Sequence, residues 1–432
     1  MHLLKWLYPG MHFKRWMLVF GAGVMMVSLG LALVFNYKYL DIIEEAIFRA
    51  VYLWRGSFDY VITTIVGLVI VVLGLALMLF ATRFVIRSVI SVLLPDSSEK
   101  LVDIIYEKRR LDKGPQVTVI GGGHGLSVLL RGIKQATSNV TAVVTVADDG
   151  GSSGRLREEL GIIPPGDLRN CLVALADTEP LMEKLFQYRF QSGTELKGHS
   201  FGNLFIAAMA EVTGDMEEAL KKSSKVLAVK GRVLPASTAH VRLDAVMEDG
   251  TLVEGESHIP EVHKHIRRVK LFPEHVEPVE SALAAIREDV VILGPGSLYT
   301  SIMPNLLVDG VAEALKKSRA LKIYICNVLT QPGETDGYTA SMHARAILDH
   351  AGRGAIDYML VNATPLPYGT AQLLEKEGVE PVAIDEDAVN ALGIGVVKAD
   401  LVNDDDVAHH DPEKLMKSVM KMAYKLHPGI SK

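Results

Sequence analysis

The chain has 432 residues, 45 of them basic and 51 acidic, which gives a formal net charge of −6. This length allows two or three domains of ordinary size, and two cysteines exclude a disulfide-stabilised scaffold. The glycine and proline contents, 37 and 18 residues, exclude collagen-like and low-complexity chains. The mean hydropathy of +0.23 is high for a soluble protein, so the apolar residues either fill a large core or form lipid-facing segments.

Charge is distributed unevenly along the chain. Residues 1–92 carry eight basic and four acidic side chains, which leaves 37 basic and 47 acidic side chains, a net charge of −10, for the remainder. The acidic balance of this larger part argues against a surface that binds nucleic acid. The excess hydrophobicity lies in the smaller, basic part.

Two uncharged runs, residues 17–35 and 61–81, are 19 and 21 residues long. A bilayer core of about 30 Å takes about 20 apolar residues in a helix, so residues 1–92 are predicted to be a membrane anchor with two transmembrane helices. The first run is longer than the apolar part of a signal peptide; the alternative for both is a pair of buried core helices. The flanking cations are Lys5, Lys14, Arg15, Arg83 and Arg87. By the positive-inside rule, the N-terminus and the main domain are predicted to lie in the cytoplasm.

Residues 93–114 form a charged linker with the pattern of a short surface helix, capped by Ser97 or Ser98. It contains the cations Lys108, Arg109, Arg110 and Lys113. Two interpretations stay open: these side chains contact anionic lipid headgroups, or the segment is a solvated linker.

From residue 115 to 432 the chain alternates strand-like and helix-like segments. The strand-like runs are 116–120, 140–146, 290–293, 322–326 and 357–361. Such alternation predicts an α/β fold, a doubly wound, mostly parallel sheet with helices on both faces.

A glycine-rich loop, GGGHG, follows the first of these strands and precedes a helical pattern. Gly122, Gly123 and Gly125 would let the backbone approach a phosphate at the helix N-terminus. The spacing does not match the dinucleotide fingerprint, and no P-loop lysine follows. The alternative is a tight strand–helix turn without a ligand, and His124 is then an ordinary polar side chain.

An acidic loop, ADDGGSSGRLR, follows the second strand. Asp148 and Asp149, with Ser152 and Arg155 beyond them, suit a magnesium ion that bridges to a diphosphate, or a ribose hydroxyl. An Asx-capped turn with exposed charges is the alternative.

Two further polar motifs precede helices. The first contains Asp167, Arg169 and Asn170, and Asp167 is equally explained as a helix N-cap. The second contains His199 and Asn203, which we interpret as groups that recognise a base or ribose, or as a buried polar cap. A catalytic pair of Ser200 with His199 lacks the glycine pattern of a nucleophile elbow.

A second glycine loop, GPGSLYTS, follows a later strand, at the sheet edge where open α/β folds bind ligands. Gly296, Ser297 and Thr300 are candidates for phosphate contacts there, and Asn327 ends the next strand. The turn 331–335 has polar residues that would complete the site. Cys326 is expected to be a buried core residue and not a nucleophile. The acidic run 404–406, with the two histidines at 409 and 410, is expected to be a solvated turn.

Taken together, these motifs resemble those of the YvcK/CofD-like family, some of whose members are called gluconeogenesis factors. The segments that carry the resemblance are TVIGGGHGLSVLLRGIK, TVADDGGSSGRLR, PPGDLRNCLVALAD, GHSFGNLFIAA, LGPGSLYTSIMPNLL and CNVLTQPGETDGYTASMH. The resemblance covers residues 114 to 425 and implies a Rossmann-like nucleotide-binding domain. His124 stands where many relatives carry threonine, and the two apolar runs lie outside the family core.

The resemblance implies two functional branches. One binds UDP-sugars such as UDP-N-acetylglucosamine and is linked to cell shape and peptidoglycan supply during gluconeogenic growth, without an established reaction. The other is the magnesium-dependent 2-phospho-lactate transferases, which use a guanosine diphosphate donor. The acidic-loop version found here favours the first branch, a membrane-tethered, non-catalytic UDP-sugar-binding regulator of cell morphogenesis; the transferase is the alternative. Expected partners are a UDP-sugar or other nucleoside diphosphate ligand, the membrane, a second copy of the chain and cell-wall regulatory proteins, with magnesium as the one cofactor considered.

Overall fold

The computed structural model describes residues 13–35, 49, 52–53, 60–93, 101–177, 180–365, 374, 378–403, 409–427 and 429–430. These residues form two compact units, which divide the chain between residues 107 and 108. The first unit contains the apolar N-terminal helices and the second the α/β body.

In the first unit, both predicted apolar runs are helical: α1 spans Phe13–Val34 and α2 spans Tyr60–Leu93. Glycines let the two backbones approach closely, because a Cβ on Gly23 would lie 2.9 Å from the carbonyl oxygen of Gly74. A Cβ on Gly30 would likewise lie 2.7 Å from the carbonyl oxygen of Gly67. Both helices are long and apolar enough to cross a membrane, a test that signal sequences and core helices of soluble proteins also pass.

A third helix, α3 (Leu101–Asp112), lies in the predicted linker, and the proposed caps Ser97 and Ser98 lie outside the described residues. Its last turn belongs to the body. Leu111 is buried, and the Asp112 carboxylate accepts a hydrogen bond from the Ser138 hydroxyl at 2.7 Å. This end of the linker is therefore fixed to the body.

The strands of the body, in chain order, are β1 (Val117–Gly121), β2 (Val140–Val144), β3 (Arg232–Pro235), β4 (Arg242–Met247), β5 (Leu252–Glu254), β6 (Ile266–Phe272), β7 (Val290–Leu293), β8 (Leu321–Ile325), β9 (Tyr358–Asn362) and β10 (Gly395–Ala399). The helices are α4 (Gly123–Ile133), α5 (Gly151–Leu160), α6 (Gly166–Leu175), α7 (Pro180–Gln187), α8 (Phe201–Thr213), α9 (Met216–Val226), α10 (Glu280–Ala285), α11 (Met303–Leu306), α12 (Val311–Lys317), α13 (Ala340–Ala351), α14 (Glu386–Ala391) and α15 (Pro412–Leu426). Short 3₁₀ turns cover Glu256–His258 and Pro260–Val262, and a π-helical turn covers Leu298–Ile302.

Seven strands form one parallel sheet in the order β10-β9-β8-β7-β1-β2-β3. The central strands are buried on both faces, as their uninterrupted apolar and β-branched sequences predict. In register, Val117 of β1 lies opposite Val140 of β2 and Val290 of β7. The doubly wound, Rossmann-like α/β fold expected from the sequence is confirmed.

The strand order places a crevice beside β1. From β1 the chain adds β2 and β3 on one side, and only later returns to add β7 to β10 on the other side. The loops that leave β1 and β7 therefore run in opposite directions, which opens a gap at the carboxyl edge of the sheet. Strands β4, β5 and β6 form a separate antiparallel sheet in the order β5-β4-β6.

Candidate functional site

A cavity of about 460 Å³ opens at this crevice, beyond the carboxyl ends of β1, β7 and β8. Its size is within the range of small-molecule sites. Six residues predicted from the sequence line it: Gly122, Gly123, Gly125, Gly296, Ser297 and Asn327. They meet because parallel strands end at one edge of a sheet.

Close approach of three loops requires the glycines after β1. A Cβ on Gly122 would lie 2.5 Å from Oδ2 of Asp167, and one on Gly125 would lie 2.7 Å from the carbonyl oxygen of Pro295. Gly123 has a φ of +68°, in the left-handed region that other residues adopt only with strain. Because α4 begins at Gly123 without a side-chain cap, the amides of its first turn after Gly123 are available to an anion, whereas the Gly123 amide faces Asp167.

A chain of polar side chains crosses the opposite wall of the cavity. Asn327 Nδ2 donates to Gln331 Oε1 at 3.0 Å, and Gln331 Nε2 donates to Ser297 Oγ at 2.7 Å. These bonds join the loops after β7 and β8. The wall therefore offers neutral hydrogen-bonding groups beside the glycine loop.

The two aspartates of the acidic loop face different partners. Asp149 accepts the backbone amides of Glu256 and Ser257, each at 2.9 Å, so its carboxylate caps the 3₁₀ turn at 256–258. Asp148 accepts the Gly150 amide at 3.0 Å in an Asx-type turn. Neither lines the cavity.

Buried carboxylates lie behind the glycine and acidic loops. Burial, aided by the charge of Asp148, raises the pKa of Asp167 to about 7, although the Gly123 amide stabilises its charged form. Burial and the neighbouring carboxylates raise the pKa of Glu256 to about 8, and burial raises that of Asp148. Asp167, for which an N-cap was the alternative to ligand contact, lies in the first turn of α6 after the N-cap Pro165, so the N-cap alternative is wrong. In the part of the chain that the structure describes, no group of three or more histidine, cysteine, aspartate or glutamate side chains could hold a metal ion by itself.

A second polar cluster joins the starts of α5, α6 and α8. His199 Nδ1 and Asn203 Nδ2 each lie 3.1 Å from Ser152 Oγ. Ser200 caps α8 by accepting the Asn203 amide, which confirms the buried polar cap. His199 thus pairs with Ser152 and not with Ser200, and burial lowers its pKa.

Of the remaining predicted residues, the two arginines and Asn170 belong to this cluster or to its margin, whereas Thr300 lies behind the cavity beside Glu334. Arg169 donates to Ser200 Oγ and, at 2.7 Å, to Asn170 Oδ1. Arg155 donates to the Lys197 carbonyl at 3.1 Å, and Thr300 donates to Glu334 at 3.2 Å. None of these predicted residues lines the cavity. The predicted residues therefore divide mainly between the cavity and the helix-start cluster, with Asp149 and Thr300 outside both.

Comparison with known proteins identifies the family. The family model described as 2-phospho-L-lactate transferase CofD matches residues 117–402. The chain belongs to the CofD family. A Bacillus subtilis member named gluconeogenesis factor is 53% identical over 70% of this chain and 96% of its own length. A Nostoc member, whose name of gluconeogenesis factor is provisional, is 46% identical over 98% of this chain and 93% of its own length.

Among solved structures, protein BH3568 from Bacillus halodurans is similar to this chain, with a TM-score of 0.70 and 54% sequence identity. It covers 71% of this chain and 100% of its own. This likeness confirms the fold of the body. The Nostoc alignment, in contrast, continues through the N-terminal helices, since it covers 98% of this chain.

Several cavity residues of this CofD-family member were not predicted from the sequence, and His410 is the one for which the opposite was expected. His410 lines the cavity, so the expectation of a solvated turn is wrong for this residue. Residue Val402 pairs with it as an isolated bridge and brings it into the body. Burial lowers the pKa of His410 to about 4, although the nearby Cys326 backbone favours the charged ring. The helix start Asp411-Pro412, directly after His410, was the feature of the sequence that could have indicated an ordered position for this residue. The acidic run 404–406 lies outside the described residues.

Proposed function

We propose that this chain is a membrane-tethered gluconeogenesis factor that binds a UDP-sugar, such as UDP-N-acetylglucosamine, and regulates cell morphogenesis during gluconeogenic growth. One observation carries the proposal: the glycine loops after β1 and β7 enclose a cavity at the point where the strand order reverses. The names of the Bacillus and Nostoc relatives support the gluconeogenic role.

The chemistry of the cavity suits a diphosphate joined to uncharged groups. The first amides of α4 and the positive end of its dipole would hold the diphosphate beside Gly122, Gly123 and Gly125. Ser297 and Asn327 on the opposite wall would orient the sugar or the nucleoside through neutral hydrogen bonds.

The lining favours binding over chemistry on the ligand. Among the described lining residues there are glycines, hydroxyls, amides, apolar groups and histidines, and neither a carboxylate nor a lysine or arginine. Asp149, the residue next to the buried Asp148, already bonds two backbone amides. The proposal is therefore a regulator that recognises its ligand and releases it unchanged.

Calorimetry on residues 101–432 tests this proposal, because the body is a compact unit and its solved relative consists of this part alone. We expect saturable binding of UDP-N-acetylglucosamine without release of UDP. Ser297→Ala should weaken binding by about fivefold to tenfold, since one hydrogen bond contributes about 1 kcal/mol. Ser224→Ala, on α9 outside the cavity, is the matched control. A preference for a guanosine diphosphate donor with product formation would contradict the proposal.

A second candidate is the transferase named by the family model. The observation that favours it is that Asp148 and Asp167 are both buried carboxyls near the glycine loop, with the charge of Asp148 acting on Asp167. Magnesium typically binds through one or two carboxylates together with phosphate oxygens, a role that these two side chains fit. Phospholactyl transfer from a guanosine diphosphate donor, abolished in Asp148→Asn, would establish this activity.

We also propose that α1 and α2 form a membrane hairpin with the N-terminus and the body in the cytoplasm. Their outer faces expose large apolar side chains, such as Leu18 and Leu79, and glycines lie where the helices meet. Fractionation of cells, followed by labelling of single cysteines near residue 5 and in the body, tests the topology. Labelling by a membrane-impermeant reagent from outside the cell would contradict it.

A further inference from the structure

A buried glutamate lies directly behind the lining of the cavity. Glu334 follows β8 and is only 6% exposed. Its Oε1 accepts the Thr300 hydroxyl at 3.2 Å, whereas its Oε2 is shielded from solvent and has no hydrogen-bond partner. An ionised carboxylate with an unpaired buried oxygen is costly. This carboxyl is therefore poised between its charged and neutral forms.

The turn that carries Glu334 also forms part of the cavity wall. Gln331, three residues earlier, lines the cavity and donates to Ser297 Oγ. The turn is closed by bonds from the Gln331 amide to Thr335 Oγ1 and from the Thr335 amide to the Gln331 carbonyl, each at 2.9 Å. Glu334 thus has a fixed place relative to the wall that an anion would contact.

Among the described residues, the groups with the largest influence on Glu334 include no positive side chain. The Thr300 hydroxyl bonds Oε1, and the nearby Ser297 hydroxyl and the amides of Tyr299 and Thr300 also favour the charged form. None of these groups is a hydrogen-bond partner of Oε2. The titratable groups around Glu334 are Glu256 on the 3₁₀ turn and the phenol of Tyr299 on the π-helical turn. Asp148, Asp149 and Asp167 in turn act on Glu256. A diphosphate in the cavity would therefore add negative charge beside carboxylates, among described residues that place no lysine or arginine in the lining.

We propose that Glu334 is a positioning residue that takes up one proton from solvent when a diphosphate ligand binds in the cavity. This inference rests on the proposed function. The proton goes to the unpaired oxygen, which removes the buried charge next to the ligand. The neutral carboxyl no longer attracts the nearby Ser297 hydroxyl, so this hydroxyl, whose oxygen accepts the Gln331 side-chain amide, can donate its proton to the ligand. Burial already raises the pKa of Glu334 to about 7, so a small further rise suffices near neutral pH.

Calorimetry with UDP-N-acetylglucosamine at pH 7.5 tests the inference, in buffers of different ionisation enthalpy. The diphosphate diester of this ligand has no proton to exchange near this pH, so any proton uptake belongs to the protein. We expect the observed enthalpy to vary with the buffer, with a slope of a fraction of one proton. The dissociation constant should rise between pH 7 and 8.5, by at most about tenfold per pH unit.

Glu334→Gln should bind the ligand without proton uptake and with a flat pH profile, and thermal unfolding confirms that the variant is folded. Glu288→Gln is the matched control, a partly buried carboxyl that bonds Thr118 and Arg232 at the amino edge of the sheet, and should keep the wild-type uptake. Binding without buffer dependence, or uptake that persists in Glu334→Gln, overturns the inference and leaves the proposed function intact. Absence of binding overturns the proposed function. In that case the same titration with GDP-mannose tests the proton uptake by Glu334. If GDP-mannose does not bind either, both the proposed function and the inference about Glu334 are overturned.

Discussion

Asp149 is committed to the backbone of a distant segment. Its carboxylate accepts two amides more than a hundred residues later in the chain, at Glu256 and Ser257. The sequence placed Asp148 and Asp149 correctly at the end of a strand. It could not indicate the different surroundings of the two side chains, because the 3₁₀ turn that takes Asp149 reaches it only through tertiary structure.

Asp149→Ala should destabilise the body. The change leaves the partly buried Glu256 amide and the exposed Ser257 amide without their acceptor, and we expect a loss of about 1–3 kcal/mol in the free energy of unfolding. Asp149→Asn keeps one acceptor oxygen and should lose less. Urea denaturation of residues 101–432 measures both variants, with Asp249→Ala at an exposed turn as the control. Wild-type stability for Asp149→Ala would show that water replaces the carboxylate at no cost.

At the scale of elements, the two N-terminal helices were predicted from length and lack of charge alone. The structure adds how they pair: glycines seven residues apart on each helix, at 23 and 30 and at 67 and 74, lie against each other. This spacing is visible in the sequence. That the glycines form the contact between the helices could not be predicted, because only the antiparallel pairing of α1 and α2 brings the two pairs of glycines together.

Gly30→Val should separate α1 from α2. A side chain there would meet the Gly67 carbonyl oxygen at 2.7 Å, and overpacking of this kind costs about 1–3 kcal/mol. Gly21→Val is the matched control, since no atom lies within 4 Å of its Cβ position. Spin labels at Leu18 and Leu79 in lipid nanodiscs report the distance between the helices. We expect a longer or broader distance distribution for Gly30→Val, and the prediction fails if both variants match the wild type.

The cap of α15 gives a second prediction at this scale. Asp411 accepts the amides of Glu413 and Lys414 at 2.9 and 2.8 Å, and α15 packs against α4, whose first turn lines the cavity. Asp411→Ala should cost about 0.5–2 kcal/mol of unfolding free energy. It should also weaken UDP-sugar binding, because it loosens the segment that holds His410.

Asp215→Ala separates the two effects. Asp215 caps α9 through the Glu218 amide at 2.8 Å, away from the cavity. We expect a similar loss of stability with unchanged affinity, measured by urea denaturation and calorimetry. Equal loss of affinity in both variants would assign the effect to global stability.

For the whole molecule, the alternation of strands and helices was enough to predict a parallel sheet. The positions of six candidate residues just after predicted strands were enough to predict that they lie together at one edge of the sheet, where they line the cavity. The strand order was beyond the sequence, because β1 pairs with β7 across about 170 intervening residues. The antiparallel sheet was also not predicted, since β4 and β6 carry charged residues at positions that break a simple apolar run. His199 and Asn203 meet Ser152 through helix packing, which strand position does not reveal.

The buried carboxyls predict how stability depends on pH. Asp167, Glu256 and Glu334 have raised pKa values of about 7, 8 and 7 in the folded chain. Each binds its proton more tightly when folded, so their contribution to stability is full below about pH 4 and is lost as pH rises towards 8. Each group contributes at most about 1.4 kcal/mol per pH unit within this window.

Urea denaturation at pH 5 and pH 8 measures the effect, and we expect lower stability at pH 8. Glu256→Gln should reduce the difference, because the amide has no proton to lose, whereas Glu211→Gln at an exposed position should keep it. Equal stability of the wild type at both pH values would contradict the assignment of these carboxyls.

The attachment of α3 to the body has a mechanical consequence. The last turn of α3 is fixed beside Ser138, at the amino edge of the sheet, whereas the cavity lies at the carboxyl edge. A five-residue strand spans roughly 16 Å, so the two lie on opposite ends of β1. Tension on the chain from its N-terminal side would therefore first reach the hydrogen bonds that join Leu111 and Asp112 to Ser138, about one strand length from the glycine loop.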